Sequence, residues 1–447
     1  LNVRAAARAS LGSLAFRFAS TVRARAEAPV DAASLAVFRV GFGLIVAVAA
    51  LRFLANGWVD LLLDADGFHF TYPGFAWVRP FPQPWLHLHF VALAGLGLMI
   101  AAGLFYRAAV VLFFVAFTYV ELIDQTTYLN HYYLVSLLAA LLAFMPLGRI
   151  AALDARRRPG TRIAAVPAYL LWVMRAQVAV VYVYAGVAKL NADWLLRAQP
   201  LRIWLQARAD VPVVGAYLDQ PAVAFAMSWA GALFDLGVVP LLLWARTRRA
   251  AFVAVVAFHA ATALLFRIGI FPWLMTLCAT LFFAPDWPRR WWPWRRMFAG
   301  ETTAVARPRA VFGTRALPAL LAVHTAVQIA LPLRQHFLPG ESAWTQRGFN
   351  FAWNVMVAEK SGAVTFTVVD ATCGHSERVR PESMLTPTQT LMMAQDPDLI
   401  RAFARHLAAR AAQAGHAHVR VHADAHAALN GRAARRMMDP SEDLSRS

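Results

Sequence analysis

The chain has 447 residues, of which 59% are hydrophobic and only 15% charged, and its mean hydropathy is +0.49. A soluble domain averages about 45–50% apolar and about 25% charged, so these values describe a polytopic membrane protein. The net charge of +18 excludes little alone, but the basic residues sit in short loops between apolar stretches. That pattern speaks for membrane orientation and against a nucleic-acid partner.

The first stretch, 1–30, is rich in Arg, Ala and Ser, with no acid before Glu27. It lacks the apolar core and small-residue cleavage site of a signal peptide and reads as a basic cytoplasmic segment that is retained. A spanning helix needs about 20 mostly apolar residues. Nine segments approach this, near 32–55, 86–105, 107–124, 131–149, 166–188, 221–244, 250–267, 269–285 and 315–333. A cytoplasmic N-terminus puts Arg107, Arg156 to Arg158, Arg246 to Arg249 and Arg289 to Arg309 inside. Asp60, Glu121, Asp124, Asp193 and Asp210 then lie outside, as positive-inside asymmetry requires. The loop 56–85, rich in Trp, Phe and Pro, suits an interfacial position.

After the last span the composition turns polar. The alternation in 364–369 predicts a strand, 418–422 a second, and the spacing of Leu399, Ile400, Phe403 and Leu407 a helix over 398–413. The fold expected is therefore mainly α: a polytopic helical membrane bundle of about nine spans with a small extracytoplasmic α+β C-terminal module. Its divisions are 1–30, a transmembrane domain 31–333, the module 334–440 and a polar tail 441–447. Cys278 lies in a span and Cys373 in the module, so no disulfide is expected. His416, His418, His422 and His426 have no standard metal spacing, and no metal is expected.

One lysine carries the functional argument. Lys189 ends the fifth span, and an ionisable group near hydrocarbon is costly enough to count as a functional candidate. Burial disfavours a charged amine, and a neutral lysine is a usable general base. The bland alternatives are a side chain that snorkels to the interface or one that pairs with Asp193. His131 begins the fourth span at the same expected depth, on the neighbouring antiparallel helix. Asn130, Tyr184, Asp193, Trp194, His259 and Trp353 are candidate pocket residues. Arg39 and Asp235 are a possible buried ion pair. No phosphate loop, dinucleotide glycine motif or zinc helix is present.

At these residues the chain resembles the vitamin K-dependent gamma-glutamyl carboxylase family, including its bacterial members. Asp31-Ala-Ala-Ser-Leu-Ala-Val-Phe-Arg39 resembles the family's opening helix, 122–131 its histidine segment, and 175–177 with 185–194 its lysine segment. Similarity continues through 284–289, 351–357 and 430–440. The resemblance implies a bacterial cytoplasmic-membrane enzyme in which Lys189 deprotonates a lipidic quinol, vitamin K hydroquinone or menaquinol. Epoxidation by O2 would drive carboxylation of a glutamate-containing protein or peptide with CO2, with His131 handling the glutamyl carbanion. The chain departs from the animal pattern at Ala188, which precedes Lys189, and at Phe349 and Ala358, where a tyrosine and a histidine are expected. His406 stands in place of a disulfide cysteine. Two alternatives stay open: a quinol epoxidase acting on another substrate without glutamate carboxylation, and a non-catalytic transporter or lipid-binding membrane protein.

Overall fold

The computed structural model describes residue 17 and residues 20–63, 67–291, 294–298, 316–416 and 418–446. Most of the basic N-terminal segment, the acidic tip 64–66 and the loop reaching Arg309 lie outside the described residues. Among the described residues nine apolar helices form the bundle: α1 (Ala33–Ala55), α2 (Trp85–Ala102), α3 (Tyr106–Ile123), α4 (Asn130–Ala143), α5 (Ala168–Ala188), α6 (Pro221–Leu243), α7 (Arg248–Leu265), α8 (Phe271–Ala279) and α9 (Ala316–Leu333).

Seven of these are long and apolar enough to cross a membrane. The other two, α4 with 14 residues and α8 with 9, correspond to the expected fourth and eighth spans. At 1.5 Å per residue α4 rises about 21 Å, short of a hydrocarbon core about 30 Å thick. Hydropathy overestimated both because their flanking turns are apolar as well. Outward-facing Leu44, Val48, Val91, Leu98, Leu112 and Val115 give the bundle an apolar exterior suited to lipid.

Two devices set the first helices. Strand β1 (Pro29–Asp31) pairs antiparallel with β2 (Ala165–Pro167), tying the starts of α1 and α5 together. Asp31 then accepts the N–H of Ala33, the first residue of α1, at 2.8 Å. Along α1, Gly43 meets Gly97 of α2 so closely that a Cβ on Gly43 would lie 2.5 Å from the Gly97 carbonyl oxygen. Small residues at such crossings let two backbones touch inside a membrane.

Arg39, fully buried in α1, corrects the expected ion pair with Asp235. Its guanidinium donates to the carbonyls of Leu147 (2.6 Å), Ala151 (2.8 Å), Ile150 (3.0 Å) and Ala101 (3.3 Å). Carbonyls at helix ends have no intrahelical donor, so one five-donor fork satisfies several of them. Arg175 does the same for the carbonyls of Leu281 (2.8 Å) and Phe283 (3.0 Å).

The C-terminal part is an antiparallel sheet of order β4-β3-β5-β6, with β3 (Lys360–Asp370), β4 (Ser376–Val379), β5 (Val419–Leu429) and β6 (Arg435–Arg436). Both expected strands and the expected helix are present, and β5 runs well beyond 422. Alternate residues Val421, Ala423, Ala425, Ala427 and Leu429 are buried, and Ile400, Phe403 and Leu407 of α10 (Pro397–Gln413) join their core. Phe70, from the loop expected to lie at the interface, is buried in that core too. Buried Asp124 accepts from Thr126 Oγ1 at 2.7 Å and from Gln389 Nε2, on the helix Pro387–Met393, at 2.7 Å, linking the bundle to the C-terminal part.

Lys360, buried at the start of β3, donates to the carbonyls of Trp344 and Gln395, with its Nζ 4.9 Å from the Trp344 ring centroid. Burial pulls its amine down to about 8, against a smaller opposing pull from Asp396.

Two outcomes are expected. Gly43→Ala should destabilise the bundle by about 1–3 kcal/mol through overpacking, whereas Gly95→Ala, whose added methyl would meet nothing within 4 Å beyond its own stretch of helix backbone, should not. Thermal unfolding in detergent separates them. Because Lys360 has a lower proton affinity folded than unfolded, the unfolded chain binds more protons between its two values. Protection of β3 from hydrogen exchange should therefore rise from about pH 8 towards the ordinary lysine value of about 10.4; a flat or falling profile counts against it.

Candidate active site

Lys189 forms the C-cap of α5, where its backbone N–H bonds the Gly186 carbonyl at 3.0 Å. Gly186 is required here. A Cβ at that position would lie 2.8 Å from the Leu236 side chain and 3.0 Å from its backbone nitrogen, so its absence lets α6 approach. That approach delivers Asp235. Lys189 Nζ donates to Asp235 Oδ2 at 2.8 Å, to the Ala185 carbonyl at 3.2 Å and to the Val355 carbonyl at 3.3 Å. The Trp194 ring centroid lies 5.1 Å from Nζ, and both charged side chains are buried. Lys189 therefore neither snorkels nor pairs with Asp193.

The pair stands at one wall of a cavity of about 80 Å³. Tyr182, Phe258, Phe266 and Phe271 supply aromatic walls, and Met227, Met275 and Met356 supply thioethers. His259 also faces it, its Nε2 3.0 Å from the Tyr182 hydroxyl while its buried Nδ1 has no partner among the described residues. The unbranched methionines are the wall residues best able to adapt to an apolar ligand.

His131 is one ring removed from the cavity. Its imidazole lies 5.9 Å from the Phe271 ring centroid, and His259 lies 6.1 Å from the same ring. Its buried Nε2 has no hydrogen-bond partner among the described residues and faces Gly269. The two histidines thus flank a single phenylalanine.

The linker after α9 completes the site. Phe351, Trp353 and Met356 all have positive φ, between 53° and 62°. Such a cluster is costly for side-chain-bearing residues and persists only where the surroundings enforce it. Trp353 is fully buried and stacks on Tyr133 at 5.1 Å, away from the cavity. Asn130 Nδ2 donates to the Asn354 carbonyl at 3.4 Å, next to the Val355 carbonyl that receives Lys189. The start of α4 and the end of α5 therefore grip adjacent peptides.

Other expected pocket residues lie elsewhere. Tyr184 hydrogen-bonds the Ile329 carbonyl of α9. Asp193 accepts from Arg432 at 2.5 Å, Arg197 at 2.6 Å and Asn430 at 2.8 Å, locking the last strand turn to the short helix after α5. Burial opposes ionisation of Asp193, but bonds from Asn430 and Arg197 and the charge of Arg432 outweigh it and hold the carboxyl below its ordinary value. Sequence reasoning named Asp235 but gave it the wrong partner, and it missed Phe271 and the methionines. Among the described residues no group of three or more His, Cys, Asp or Glu side chains could hold a metal.

Helices of spanning length, with a buried amine-carboxylate pair beside a largely apolar cavity, describe an integral membrane protein. Residues 27–287, more than half of the chain, match the family model described as HTTM domain. Residues 314–447 match the model described as Vitamin K-dependent gamma-carboxylase, lumenal domain. The chain belongs to the vitamin K-dependent gamma-carboxylase family. No solved structure gives a significant match.

A buried pair is held by its own complementarity, and removing one member leaves an uncompensated charge costing about 3–5 kcal/mol. Lys189→Met and Asp235→Leu should each destabilise the protein on that scale. The double variant should recover a large part of the loss, as read by denaturant unfolding in detergent. Simple additivity of the two losses would show that the side chains do not act as a pair.

Proposed function

We propose that this protein couples oxygen-dependent epoxidation of a reduced naphthoquinone, vitamin K hydroquinone or menaquinol, to carboxylation of glutamyl side chains with CO2. The observation that carries the reading is the Lys189–Asp235 pair at the wall of an otherwise apolar cavity. The family membership supports the substrate class. The quinol, on oxidation by O2, supplies the base that removes a glutamyl γ-proton, after which the carbanion attacks CO2.

Lys189 is the residue we assign to the first proton transfer. A proton passing from Nζ to Asp235 Oδ2 across 2.8 Å leaves an amine and a carboxylic acid, with no net charge in the cavity. The freed amine then accepts the proton of a quinol hydroxyl placed against it. Trp194 and the carbonyls of Ala185 and Val355 hold Nζ at one point. Phe258, Phe266 and Phe271 exclude water, which would otherwise quench a strong base. His131, with a buried Nε2 that no described residue bonds, is assigned to the glutamyl side.

We read the C-terminal module as extracytoplasmic in a bacterial cytoplasmic membrane, so that quinol arrives from lipid and glutamate from the aqueous face. The basic loops around Arg107, Arg156 to Arg158 and Arg246 to Arg249 support this orientation. Phe349 and Ala358, apolar where the animal pattern has a tyrosine and a histidine, favour the second reading, epoxidation coupled to another acceptor.

Purified protein supplied with reduced naphthoquinone, O2, labelled bicarbonate and a glutamyl peptide should form epoxide and labelled peptide together. Epoxide without label selects the second reading, and neither product rejects both. Lys189→Arg keeps a cation beside Asp235 but removes a deprotonatable amine. It should remain folded and lose epoxidation by about 10²-fold or more, the scale of general-base catalysis. Lys189→Ala should be similarly inactive and partly restored by a small added amine. His131→Ala should reduce carboxylation more than epoxidation; equal losses would assign it a structural role.

A further inference from the structure

A second, wider cavity of about 450 Å³ opens beside the first. The two share Trp204, Phe266, Ile268 and Met356, so these side chains form the partition between the outer space and the Lys189 cavity. The outer space is lined by two guanidiniums, Arg208 and Arg267, with Asp210 at its rim. Arg208 is already engaged: its Nε lies 3.6 Å from Asp210 Oδ1 and its Nη2 3.5 Å from the Leu264 carbonyl. Arg267, exposed in the turn between α7 and α8, makes no hydrogen bond or ion pair among the described residues. The vestibule therefore carries one uncompensated positive charge.

We infer that this vestibule binds a carboxylate-bearing side chain, with Arg267 as its specificity-determining residue, and that it presents a glutamyl substrate to the inner cavity. The identification of the substrate rests on the function proposed above, whereas the binding of a carboxylate rests on the vestibule alone. The chemistry fits in three respects. A guanidinium offers two parallel N–H donors to a carboxylate, a geometry an ammonium cannot reproduce. One free cation matches a singly charged carboxylate better than a doubly charged phosphate. The methylenes of a glutamyl side chain would lie against Phe266 and Met356, which face both spaces. Arg267 also stands two residues from Gly269, the position against which His131 Nε2 is packed, so one short turn connects the anchoring cation to the imidazole. Nothing in the catalytic pair selects between a glutamyl and a glutaminyl side chain. Arg267 does.

The test uses the full chain in lipid nanodiscs, with a glutamyl peptide and its glutaminyl twin as probes. Binding is measured without quinol or oxygen, and KM is measured with both. Wild type should prefer the glutamyl peptide by about tenfold or more in binding. Arg267→Gln should erase that preference, Arg267→Lys should retain part of it, and Arg267→Glu should reverse it. In turnover, Arg267→Gln should raise the peptide KM about tenfold more than the quinol KM. Selective, Arg267-dependent binding without carboxylation would leave the vestibule standing and sink the proposed function. Carboxylation with a peptide KM indifferent to Arg267 would do the reverse. Equal binding of both peptides, with Arg267 instead governing retention of phosphatidylglycerol over phosphatidylcholine, would overturn the inference in favour of a lipid headgroup.

Discussion

A charge inside a low-dielectric bundle must find a counter-charge or a set of dipoles, and this requirement organises the whole protein. Lys189 is satisfied by Asp235 and two peptide carbonyls, Arg39 by carbonyls, and Arg175 by carbonyls and the Phe282 ring. The difference matters chemically. Carbonyls can only accept, so Arg39 and Arg175 are fixed cations and serve as clamps for the ends of helices. Asp235 can take a proton, so the Lys189 site has two arrangements of its charge. Of these three cations, Lys189 is the one whose partner is itself able to carry a proton.

The position of that site depends on parts of the chain far apart in sequence. Gly186 lets α6 come close enough for Asp235 to reach the amine, and the linker brings the Val355 carbonyl from the other side. The linker in turn is fixed where Asn430 pairs with Glu359 and where Asp193 grips Asn430 and Arg432. The sheet and the bundle thus meet at the same end of α5 that carries the lysine. A rearrangement of the sheet would reach the cavity through the Val355 carbonyl, Met356 and Trp204, whose indole donates to Glu359 at 2.6 Å.

Much of this was legible in the residues, and the failures have physical causes. The helical bundle and the α+β module follow from apolar runs and alternation. Hydropathy reads apolarity rather than helix length, which is why α4 and α8 looked like full spans. Lys189 stood out because an amine in an apolar run is expensive wherever its partner lies. The partner did not, because Asp235 is 46 residues away and its approach depends on Gly186. Matching Arg39 with Asp235 as leftover opposite charges ignored the carbonyls that helix ends expose. Tyr182 and Tyr184 show the finest failure: two residues apart on a helix they point about 200° apart. One therefore lines the cavity while the other reaches α9.

The three methionines around the cavity have a cost as well as a use. Their sulfur atoms stand where a strong base and molecular oxygen are proposed to meet, and a thioether that takes up oxygen becomes a polar sulfoxide. A wall that yields to admit a flat apolar ring would then stiffen and attract water. Such an enzyme would wear out by the number of cycles it completes rather than by its age, and a sulfoxide reductase would prolong its working life.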